Sequence, residues 1–150
     1  MKQYWALIAG TAMVISGLVG IRKDRKMKRV FIAFAIEDRG DRDLFVGQRL
    51  NSASPVEFID YSVHEPWSNE WKEKCRARIR SSAGVIALTS SNLRQATGAL
   101  WEIQCAIEER KPLIGVRTHH NDMYVPEILV SRTVIPWTWD GVASFVNSLP

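Results

Sequence analysis

A chain of 150 residues, 46% of them apolar, makes one domain with its own core and leaves no room for a second. Its formal net charge of +4 is unevenly placed: Lys2 and the stretch Arg22 to Arg29 hold seven basic residues against Asp24 alone, which leaves residues 30–150 at −2. The folded part therefore lacks the basic footprint of a nucleic-acid binder. Cys75 and Cys105, with no CxxC pair and no Cys/His spacing suited to zinc, predict a reduced domain without a metal site.

From Tyr4 to Ile21 the chain runs for 18 residues without a charge, about 27 Å as a helix and close to the bilayer core. One lysine precedes the run and six basic residues follow it, the reverse of a signal peptide. The pattern predicts a transmembrane helix over 4–21, a basic linker over 22–29 and a domain over 30–150 on the cytosolic side of the inner membrane. Ala12, Ser16 and Gly20 repeat at a small-xxx-small spacing compatible with self-association, although small residues are common in such helices.

Beyond the linker, strand and helix patterns alternate. Arg29 to Ile36 (RVFIAFAI) reads as a buried strand, Asp41 to Leu50 as a helix, and Val56 to Tyr61 as a second strand. Trp67 to Ser81 reads as a helix whose Trp71, Cys75 and Ile79 recur every fourth residue. Its other face, Lys72, Lys74, Arg76, Arg78 and Arg80, reads as a solvated face or a surface for an anionic partner. Gly84 to Ser90, Pro112 to Thr118 and Val134 to Trp139 supply three more strands. Gly98 to Arg110 and a last helix capped by Asp140 separate and follow them. Strands that are apolar throughout and alternate with helices predict an α/β, flavodoxin-like fold, a parallel five-stranded sheet with helices on both faces, preceded by the transmembrane helix. Ligands of such sheets bind beyond the carboxyl ends of the strands.

The loops at those ends exclude several tenants. The first turn is crowded by Glu37, Asp38, Asp41 and Asp43, which repel a phosphate cradle. The third strand ends in Thr89, Ser90 and Ser91, where a phosphoreceiver needs an aspartate, and no GxSxG elbow is present. Glu102 remains. With Leu100, Ile103 and Ile107 taken as the buried stripe of its helix, Glu102 lies on the flank beside Trp101, able to lean into the cleft. There it could hold a ribose hydroxyl pair or stabilise the cation that forms when an N-glycosidic bond breaks. An ordinary first-turn glutamate, favoured by the helix dipole, is the plainer alternative.

VFIAFAIEDRGDRD, FIDYSVHEPWSNEW, IRSSAGVIALTSSN and WEIQCAIEERKPLIGV, in that order, resemble the TIR-like family of bacterial domains that includes the TIR component of the Thoeris antiphage defence system. The resemblance covers residues 29–118 well and the C-terminal stretch loosely. It implies an enzyme that takes NAD as substrate and needs no cofactor or metal, breaking the bond to nicotinamide and releasing or cyclising ADP-ribose for a downstream effector to sense. It places Glu102 at the catalytic glutamate, Phe34 and Asp38 beyond the first strand and Asp60 and Ser62 beyond the second as pocket residues, with Trp101 beside them. It implies too that self-association completes the pocket. Thr97, Gly98 and Ala99 depart from the family, in which a serine and a longer approach to the tryptophan are usual. Two rival readings share the fold, a non-catalytic assembly scaffold at the membrane and a nucleoside deoxyribosyltransferase-like enzyme.

Overall fold

The computed structural model describes residues 26–52, 55–61 and 68–150. The expected membrane segment 4–21 and the first four residues of the expected linker lie outside them. Among the described residues no helix is long and apolar enough to cross a membrane.

Five strands form one parallel sheet: β1 (Lys28–Ala33), β2 (Val56–Ile59), β3 (Gly84–Thr89), β4 (Leu113–Arg117) and β5 (Val134–Pro136), in the order β2-β1-β3-β4-β5. Four helices connect and close it: α1 (Arg39–Ser52), α2 (Asn69–Ser81), α3 (Thr97–Glu108) and α4 (Trp139–Ser148). Because side chains alternate along a strand, Phe31, Ala33, Val85 and Ala87 meet α2 and α3 on one face. Val30, Ile32, Ile86 and Leu88 meet α1 and α4 on the other. The expected α/β architecture is observed.

Several boundaries move for local reasons. The apolar run after Arg29 leaves the sheet at Ala33, since Ala35 accepts from the Asp38 N–H at 2.9 Å and starts a short 3-10 turn, Ile36–Asp38, that runs on into α1. Lys28 belongs to β1 and not to a free linker: its ammonium donates to the carbonyls of Leu149 at 2.6 Å and Val146 at 3.1 Å, at the end of α4. These carbonyls lie at the negative dipole end of the helix, where that of Val146 also accepts from the Leu149 N–H at 3.3 Å. The cap of α4 is Thr138, whose hydroxyl accepts from Gly141 N at 3.2 Å, and Asp140, expected there, lies inside the first turn. Ser68 caps α2 in the same way, through Trp71 N at 3.0 Å.

Trp71, Cys75 and Ile79 form the buried stripe of α2 as their spacing predicts. The other face of that helix is solvated, with Lys74, Arg78 and Arg80 exposed, and its arginines have partners on neighbouring elements. Arg76 bridges Glu108 at 2.7 Å and Glu109 at 2.9 Å, Arg80 adds a bond to Glu109 at 2.9 Å, and Arg78 lies 4.6 Å over the Tyr61 ring. Arg76 and Arg80 thus tie α2 to the end of α3, whereas Lys74 pairs with Glu70 inside α2 itself.

Candidate functional site

The strand order reverses between β1 and β3, and beyond their paired ends the chain leaves β1 for α1 on one face and β3 for α3 on the other, with a cleft at the parting. The cleft, about 840 Å³, has Phe34, Ile36 and Glu37 from the end of β1, Arg39 and Arg42 from α1, Tyr61 from beyond β2, Trp71 from α2 and the stretch Gln95 to Ala99 entering α3. Glu102 is its acidic floor.

The position of Glu102 differs from the sequence expectation. The buried stripe of α3 is Ala99, Glu102, Ile103, Cys105 and Ala106, whereas Leu100 and Ile107 are only partly covered. Glu102 therefore sits on the packed face, 7% exposed, and not on its flank. It is also the sixth residue of the helix, beyond the first turn, so the dipole explanation for an ordinary glutamate does not apply. Its hydrogen-bond partner is the thiol of Cys75, with Sγ 3.8 Å from Oε1. Burial pushes the proton affinity of Glu102 well above that of an ordinary glutamate. The Cys75 contact pulls it back in part and the nearby charge of Asp60 adds to the rise. Burial beside Glu102 raises the Cys75 thiol as well, so it stays protonated and able to donate.

The other predicted residues separate into three groups. Phe34 lines the cleft, under the Arg42 guanidinium 5.1 Å from its ring centre. Asp60 stands behind that wall, its Oδ2 3.2 Å from Arg42 Nη1, and acts on the cleft through its charge. Asp38 is turned away: it is buried, and its two carboxylate oxygens accept from the Ser90 hydroxyl and from Asn92 Nδ2 at 2.7 Å. Trp101 does not line the cleft; it backs Trp71, with ring centres 5.3 Å apart and Arg76 5.6 Å over its own ring. Ser62 lies outside the described residues. Among the described residues no three His, Cys, Asp or Glu side chains gather closely enough to hold a metal ion.

A family model for the Thoeris protein ThsB, TIR-like domain, matches residues 31–123, which contain the whole of this cleft's described lining. The chain belongs to the Thoeris ThsB TIR-like family. The crystal structure of a prokaryotic SEFIR domain is similar in fold, with a TM-score of 0.55 and 18% identity over 79% of this chain and 98% of that one. A 3-dehydroquinate dehydratase-like protein from Bifidobacterium longum matches at 14% identity over 82% of this chain and 95% of that one, with a TM-score of 0.46. No curated protein matches the chain.

In this TIR-like cleft the sequence reading missed Tyr61, Trp71, Arg42 and Cys75. Trp71 and Cys75 were visible only as core, because a stripe at every fourth residue says that a face is buried and not what it is buried against. A second hollow of about 850 Å³ opens between α1 and the ends of β4 and β5, lined by Gln48, Arg117 and Trp137 among others. Its described lining includes Asp43, which is largely exposed, but no buried carboxylate. That difference selects the Glu102 cleft as the candidate active site.

Proposed function

We propose that this chain cleaves NAD at the bond between nicotinamide and ribose, releasing or cyclising ADP-ribose as a signal in antiphage defence, with Glu102 as the essential carboxylate. The observation that carries this reading is the burial of Glu102, without a cationic hydrogen-bond partner among the described residues, in an aromatic-walled cleft at the switch point of the sheet. Membership of the ThsB TIR-like family supports it.

The chemistry follows from the placement. As the bond to nicotinamide lengthens, positive charge grows at the anomeric carbon, and a fixed carboxylate in a water-poor site stabilises it by several kcal/mol. Phe34, Tyr61 and Trp71 give the cleft an aromatic lining for a flat cationic pyridinium, and Arg39 and Arg42 offer charge to the diphosphate. An empty cleft favours neutral Glu102; the arriving pyridinium lowers its proton affinity and draws it into the ionised form the reaction needs. Asp60 keeps its place in this reading as a charge behind Arg42 that tunes the cleft, and Asp38 as the clamp that holds the cleft's loops.

The same reading keeps residues 4–21 as a membrane anchor with the domain in the cytosol, supported by the uncharged run and its basic border. It also keeps self-association as the activating step. One observation favours the rival of a non-catalytic scaffold, namely that Glu102 is buried against a thiol, where burial favours its uncharged form. Incubating the full chain with NAD at high protein concentration and following free nicotinamide separates the two. Release supports the enzyme, and its absence even in clustered protein leaves the scaffold.

A further inference from the structure

Resting on the reading of Glu102 as the working carboxylate, we propose that Cys75 is a positioning residue, whose thiol donates to Oε1 of Glu102 and fixes the face that the carboxyl group presents to the cleft. The two residues are 27 apart in the chain and on different helices, so the contact exists only because α2 and α3 pack side by side. Cys75 is fully buried at the centre of the α2 stripe, between Trp71 and Ile79, each one helical turn away. Among the described residues its sulfur is the hydrogen-bond partner that the carboxyl group has.

A thiol suits this task for a chemical reason. Lysine or arginine in its place would neutralise Glu102 and compete with the cation that the carboxylate has to meet. Serine reaches less far, and alanine leaves the carboxyl group free to rotate. An S–H bond is a weak donor, enough to orient one oxygen while leaving the other available. The charged groups around the pair agree. Asp60 and Tyr61 stand beyond β2, with Arg42 of α1 on Asp60; Glu37 and Arg39 line the cleft, Arg78 belongs to α2 and Cys105 lies on the helix of Glu102 itself. None of the cations among them bonds Glu102, so the thiol contact is what orders it.

The contact is measured without NAD. In the full chain labelled at glutamate side-chain carboxyl carbons, with the signal assigned by its loss in Glu102→Gln, the titration midpoint of Glu102 is followed by NMR in wild type, Cys75→Ala and Cys75→Ser. Removing a donor to the charged form raises the midpoint, by roughly half a unit for so weak a donor, and serine restores part of the difference. In wild type the infrared S–H band of Cys75, identified by its loss in Cys75→Ser, moves as Glu102 titrates, a readout that needs no folded alanine variant. In turnover, Cys75→Ala shifts the acid limb of the pH profile upward by the same amount and lowers kcat with little change in KM. A Glu102 midpoint equal in wild type and Cys75→Ala, or an S–H band indifferent to Glu102, overturns the proposal. A wild type that titrates as described but releases no nicotinamide overturns the enzymatic reading and leaves the contact standing.

Discussion

Asp38 and Ser90 are 52 residues apart, and the Ser90 hydroxyl donates to Asp38 Oδ2 while Asn92 Nδ2 holds Oδ1, so one carboxylate ties the loop after β1 to the turn after β3. These are the two strand ends that flank the cleft. Replacing Asp38 with alanine removes both bonds and leaves two donors short of partners, a loss of about 2–3 kcal/mol in unfolding free energy. Asp38→Asn keeps the shape and loses less. Chemical denaturation checks this. A raised KM for NAD at unchanged stability would instead assign Asp38 to the substrate.

Lys28 joins the start of β1 to the end of α4, the last helix, through the Leu149 and Val146 carbonyls. Lys28→Met keeps much of the stem's packing but removes the charge at the helix C-terminus, and is expected to lower stability by about 1 kcal/mol. That corresponds to roughly 4 °C in melting temperature for a domain of this size. Arg29→Met, which removes an exposed pair with Glu57, is the control and shifts it much less.

Two carboxyl groups on α3 and its end respond to pH in opposite directions. Glu102 binds its proton more tightly folded than unfolded, so it weakens the fold as pH rises from the unfolded value near 4.5 toward its raised folded value. Glu102→Gln mimics the neutral acid and is therefore expected to melt above wild type at pH 7, with the gain fading below about pH 4. Glu109 is held down to about 2 by Arg80 and Arg76. Its contribution is present above 4.5 and is lost as pH falls toward 2, so Glu109→Gln flattens stability in that window only. Melting curves of both variants across pH 2 to about 8 test the pair of signs.

The fold was legible where a pattern repeats within one element. The stripe of α2 and the apolar runs of β3 and β4 are local properties, and the structure has them where the periodicity puts them. What failed was set by partners far along the chain. RVFIAFAI reads as one strand, but only its first part has a neighbour on both sides, and the turn at Ala35 follows from a bond that hydropathy does not show. Asp38 reads as a cleft carboxylate until Ser90 and Asn92 take both its oxygens. Trp101 reads as the indole beside Glu102 because it is adjacent in sequence, yet on a helix neighbours point a third of a turn apart, and the ring that reaches the cleft is Trp71, 31 positions away. Glu102 itself was found by its place in the run WEI, but its burial came from a stripe rotated toward Ala99 and Ala106.

The central claim is that Glu102 acts on the transition state and not on the fold. The direct measurement is nicotinamide release from NAD by wild type and Glu102→Gln, at equal high protein concentration and in samples whose melting curves show both folded. Glu108→Gln serves as a control on the same helix, since its carboxylate is spent on Arg76 and Gln104 away from the cleft. The account predicts release by wild type and Glu108→Gln and a fall of about a hundredfold or more in Glu102→Gln. Retention of activity in folded Glu102→Gln, or its absence from clustered wild type, would contradict it.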